Sequence, residues 1–111
     1  MNDELRKYLT DVLMAISDIE SFVGEKKNFN HFRKSALLRA AVERKIGIIG
    51  EAMNNALRIN ENLLVSNARR IVNTRNKIVH GYDEVDELLI WEIVVKHLPV
   101  LKGEVIGLLS A

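Results

Sequence analysis

Apolar residues recur every three or four positions along nearly the whole chain, which is the period of amphipathic α-helices. Leu5, Tyr8, Leu9, Val12, Leu13, Ile16, Ile19 and Val23 form one stripe and predict a first helix. Gly24 can end it in a left-handed cap, and Glu25 to Asn30 reads as a polar connection. A second helix is predicted from near Asn30, with Leu38, Val42, Ile46, Ile49, Met53 and Leu57 on one face. Gly47 and Gly50 sit inside it at a cost of ~1 kcal/mol each relative to alanine, which close approach of another helix or of a substrate would explain. Asn60 or Asn62 offers an N-cap for a third helix carrying Leu64, Ala68, Ile71, Val72, Ile78 and Val79 inward. Asp83 and the acids after it suit the start of a fourth helix running through Trp91 to about His97. The apolar residues of that helix go almost all the way round, so the bundle and a second subunit are expected to cover it, which predicts a homodimer. Pro99 fits the first turn of a short closing helix with Leu101, Val105, Leu108 and Leu109. Met14 and Met53 fall in the apolar stripes and read as core fillers. The simplest assembly is all-α, an antiparallel bundle of four or five helices forming one domain over residues 1–111.

Composition narrows the class. Hydrophobic residues make up 48% and charged residues 28% of the 111, a balance that supports a packed core and not a disordered chain. The absence of cysteine excludes disulfides and thiolate metal sites. His31 and His97 lack metal-ligand spacing and read as surface or packing residues, so neither a metal nor another cofactor is expected. The acidic start Met1-Asn2-Asp3-Glu4 is unlike a secretory signal, and no apolar run approaches the ~20 residues that span a bilayer. A soluble, cytoplasmic protein without membrane contact is the expectation.

The net charge of +1 hides a segregated distribution. Arg33, Lys34, Arg39, Arg44 and Lys45, then Arg69, Arg70, Arg75 and Lys77, precede an acidic group of Asp83, Glu84, Asp86, Glu87 and Glu92. Side by side, the two basic stretches would make a surface for phosphates; apart, they are solvated helix faces.

Arg75 falls in the middle of the third helix's inward stripe, where an unpaired guanidinium would be expensive. It should therefore meet a carboxylate, a partner subunit or an anion, and Glu51 is the expected partner. With His80 and Tyr82, Arg75 places a permanent cation, a group titrating near neutrality and a phenol within eight residues at a helix end. Such groups can polarise a phosphodiester and move protons during its cleavage, with His80 as general acid or base and Arg75 stabilising charge on oxygen. Capping of a helix C-terminus by His80 and Tyr82 is the alternative.

The run Arg75-Asn76, three residues, then His80-Gly81-Tyr82 resembles the signature of the HEPN superfamily. With Arg39-Ala40-Ala41-Val42-Glu43, Ile48-Ile49-Gly50-Glu51-Ala52, Ile90-Trp91 and Leu98-Pro99-Val100-Leu101, the chain resembles the HepT-like branch over nearly its whole length. Where that branch often has Pro-Trp before the third helix, this chain has Glu61-Asn62-Leu63-Leu64-Val65. The resemblance implies a toxin of a prokaryotic toxin-antitoxin pair, a metal-independent endoribonuclease acting on RNA as a homodimer. It implies Arg75 and His80 as catalytic, with Asn76 supporting. It further implies an MntA-like nucleotidyltransferase antitoxin that transfers AMP to Tyr82. A non-catalytic helical dimer that binds such a nucleotidyltransferase, with the tyrosine as substrate only, is the competing expectation.

Overall fold

The computed structural model describes residues 1–79 and 87–111, and among these every regular element is helical. Helix α1 spans Asp3–Val23, α2 Phe29–Lys34, α3 Ala36–Ile59, α4 Ala68–Val79 and α5 Glu87–Glu92, followed by a π-helical turn Ile93–His97 and α6 Leu98–Ser110. These pack as an all-α bundle in which α3 is central, with α1, α2 and α4 against it and α6 against α1.

Asn2 starts α1 by accepting the Leu5 N–H on its side-chain oxygen at 2.7 Å, with Asp3 and Glu4 favouring the first turn. Gly24 ends it at φ 74, where the missing side chain matters. The buried stripe of α1, including Leu9, Val12, Ile16 and Ile19, meets Val42, Ile46, Ile49 and Met53 of α3 in one core. Each such side chain stabilises the fold by roughly 1.5–3 kcal/mol through burial. Lys45 to Asp18 at 2.8 Å and Lys102 to Glu20 at 3.1 Å tie α3 and α6 to the polar edge of α1.

Three expectations need correction. The second predicted helix is two, because Ser35 leaves helical geometry and accepts the Leu38 N–H at 3.1 Å, capping α3 just after α2 ends. Asn28 caps α2, and Arg39 reaches back across the break to the Arg33 carbonyl. The third helix begins only at Ala68, since Asn60 spends its side chain on the nearby Asn62 N–H and the chain stays irregular to Asn67; Leu64 is consequently 82% exposed. Met14 is 64% exposed, because nine residues from Leu5 is about 180° around a helix. The closing helix, in contrast, begins at Leu98, as Pro99 leads one to expect. The Leu98 N–H bonds five residues back to the Ile93 carbonyl, and this wider turn leads into α6, which takes the proline in its first turn. Asp83 and the Val79 side chain lie outside the described residues.

The π-helical turn and α5 are held at their other end by aromatic packing. Trp91 stacks at tilted angles on Phe32, 5.1 Å between centroids, and on Phe29, 5.8 Å. Phe32 is 1% exposed, so α2 exists largely to bury this ring.

Candidate active site

Helix α4 presents Ala68, Ile71 and Val72 to the core, and Arg75 follows Ile71 by four residues on the same face. Its stem crosses α3 at Gly50. A side chain at Gly50 would overlap Arg75 Cβ and come within 2.9 Å of Arg75 Cγ and 3.1 Å of the Ile71 carbonyl oxygen. Gly50 is thus the close approach expected of a glycine inside α3, whereas Gly47 has nothing within 4 Å.

The guanidinium is half-buried. Its Nη1 donates to Asn76 Oδ1 at 3.0 Å, and its Nε is buried without a hydrogen-bond partner among the described residues. Asn76 therefore lies beside Arg75 as a supporting group should. Glu51 does not pair with Arg75: it is exposed and lines a recess with Tyr8, Asp11 and Asn55 between α1 and α3. Successive residues of a helix differ by about 100° in direction, so once Gly50 faces α4 its neighbour must turn away. His80 and Tyr82 lie outside the described residues.

Helix α3, which carries Arg39, Arg44 and Lys45, packs on α4, which carries Arg69, Arg70, Arg75 and Lys77. Several of their charges are already answered, however. Arg39 lies 4.0 Å from Glu87, and Arg70 3.8 Å from Glu92. Arg44, Arg69 and Lys77 stand exposed. Glu43, one turn beyond Arg39, has its carboxyl pushed above the ordinary range by burial, an effect the Arg39 guanidinium partly offsets.

Three features escaped the sequence reading. Thr74 is 3% exposed, a buried hydroxyl satisfied by donation to the Arg70 carbonyl at 3.0 Å; a threonine in mid-helix was the available signal. His97 Nε2 lies 3.5 Å from Glu92 Oε1, beneath Arg70. Those two residues would stand about 140° apart around a regular α-helix, and only the π-helical turn brings them to one side. Glu104 of α6 binds the backbone and hydroxyl of Ser66 just ahead of α4, a contact between residues 38 apart that no local pattern reveals.

The arrangement can receive an anion. A cation is held partly out of water with one donor fixed by an amide and another unused, and no carboxylate among the described residues neutralises it. Comparison with known proteins points the same way. The family model "Ribonuclease HepT-like" matches residues 12–106. The Methanocaldococcus jannaschii protein named "Putative RNase MJ1380" is 32% identical over 105 residues, covering 92% of this chain and 94% of its own. The Thermococcus cleftensis protein named "Probable ribonuclease HepT" is 34% identical over 100 residues, covering 89% of this chain and 90% of its own. No solved structure matches the chain.

Proposed function

Because the chain belongs to the HepT-like ribonuclease family of the HEPN superfamily, we propose that it is a toxin that cuts RNA without a metal ion, using Arg75 and His80. The observation that carries this reading is the half-buried Arg75 guanidinium, oriented by Asn76 and unmatched by any carboxylate among the described residues. A phosphodiester supplies the missing negative charge, and more of it as the phosphorus becomes five-coordinate, so the cation helps the transition state most. In this reaction the RNA's own 2′-hydroxyl attacks phosphorus as His80 or its counterpart removes the proton. The bond to the 5′-oxygen breaks as that oxygen is protonated, leaving a cyclic phosphate and a free 5′-hydroxyl.

The reading extends to assembly and control. Two copies form a homodimer with their sites facing one cleft; the 65% exposed Leu88 on α5 supports an apolar contact there. An MntA-like nucleotidyltransferase transfers AMP to Tyr82, adding a bulky anion that competes with RNA for Arg75. No helix among the described residues is long and apolar enough to cross a membrane.

The test is cleavage of RNA by purified protein in the presence of a chelator. Arg75→Ala and His80→Ala should each lower the rate by ~100-fold or more, and a 2′-deoxy residue at the cut position should block cleavage. Tyr82→Phe should keep activity yet escape inactivation by the nucleotidyltransferase with ATP. Wild-type protein that leaves RNA intact, or undiminished toxicity in both alanine variants, would replace this reading with that of a binding module.

A further inference from the structure

We infer that Gly50 is the positioning residue for Arg75: the missing side chain on α3 lets α4 approach closely enough to set the guanidinium in its half-buried place. The inference rests on the reading of Arg75 as the group that stabilises the scissile phosphate.

The three atoms that a side chain at Gly50 would meet decide the matter. They are Arg75 Cβ, Arg75 Cγ and the Ile71 carbonyl oxygen. The first and last are fixed to the α4 backbone and cannot rotate away. Normal contact between carbon atoms is about 3.5–4.0 Å, so a methyl group here requires α4 to move outward by about 1 Å. Arg75 and Asn76 would move with it. Such a displacement of a catalytic group is enough to lower a rate about 100-fold.

The close approach is local. Gly47 lies one turn earlier on the same helix with nothing within 4 Å, and the buried face of α3 carries Val42, Ile46, Ile49 and Met53 beside Ala52 and Ala56. Large and small side chains thus share that face. It is pared down at the one described glycine that the arginine crosses. A glycine inside a helix is less favourable than alanine, and at Gly50 that penalty gives a charged side chain its seat.

The two glycines form a matched pair for the test. Gly47→Ala should keep wild-type cleavage and raise Tm, since it gains helix propensity without a clash. Gly50→Ala should lower kcat about 100-fold with KM within about threefold. The Arg75 Nε–H resonance in nitrogen-proton spectra, assigned by its loss in Arg75→Lys, should shift in Gly50→Ala and stay in Gly47→Ala. Gly50→Ala should also lower Tm by roughly 5 °C or more in the wild-type background. In the Arg75→Gly background, where the overlapping Cβ is gone, it should lower Tm far less. If Gly50→Ala fails to fold, Gly50→Ala with Arg75→Gly should fold. An equal loss of Tm in both backgrounds, a double variant that also fails to fold, or an unmoved Arg75 resonance with wild-type kcat overturns the inference. Should wild-type protein not cleave RNA, the functional reading fails, while the resonance and the Tm comparison still decide the role of Gly50.

Discussion

The Glu104 carboxylate accepts the Ser66 backbone N–H at 2.9 and 3.1 Å and the Ser66 hydroxyl at 3.1 Å, fastening the entry of α4 to α6. These bonds fix the point from which the arginine-bearing helix starts. Their charge makes them stronger than neutral ones, though exposure to water reduces the net gain. Glu104→Ala should lower stability by about 1 kcal/mol, or about 4–8 °C in Tm. Calorimetry checks this, and Glu104→Gln, which keeps one acceptor oxygen, should fall between the two.

Phe32 and Trp91 offer a second prediction. Phe32 is fully enclosed and stacks on the chain's one tryptophan. Phe32→Ala removes the ring and leaves a cavity, which should cost about 3–5 kcal/mol. Denaturant titration measures the loss. Tryptophan emission should move to longer wavelength before global unfolding, because α5 loses the surface on which it docks.

Asn76 should matter through Arg75. Asn76→Ala removes the acceptor that holds Nη1 and should reduce cleavage about tenfold, the equivalent of one charge-assisted hydrogen bond of about 1.4 kcal/mol. Asn76→Asp should be worse than Asn76→Ala, since a carboxylate in that place would pair with the guanidinium and repel phosphate. Single-turnover kinetics on a defined RNA separates the two variants.

Stability should also depend on pH through Glu43. Its carboxyl is pushed above the ordinary value of 4.5 by burial, so the folded protein holds the proton more tightly than the unfolded chain does. The stabilising contribution is complete below the unfolded value and is lost as pH rises through the higher folded one. Glu43→Gln, neutral at every pH, should therefore be more stable than wild type at pH 7.5. The difference should vanish near pH 4. Urea midpoints at the two values test the sign.

The HepT-like motif was legible because its residues are contiguous: Arg75-Asn76 through Tyr82 can be read without knowing what packs where. Gly50 was marked by its presence inside a helix, although only the packed structure shows that Arg75 is the residue passing over it. The pairing of Arg75 with Glu51 could not be judged locally. It depends on which of two adjacent α3 residues faces α4, and a relative rotation of about 100° exchanges them.

The sequence by itself determined that the chain is helical, which faces of α1 and α3 enter the core, and that Gly24 ends the first helix. These follow from the spacing of side chains a few residues apart, a property of the single helix. Only the tertiary structure decided that α2 separates from α3 at Ser35, that the helix continues through a π-helical turn toward Pro99, and that Leu64 faces water. A local cap, a widened turn or an exposed leucine differs from its alternative by only about 1–3 kcal/mol. Contacts between distant elements are of the same size, such as Trp91 on Phe32 or Glu104 on Ser66, and they settle the outcome.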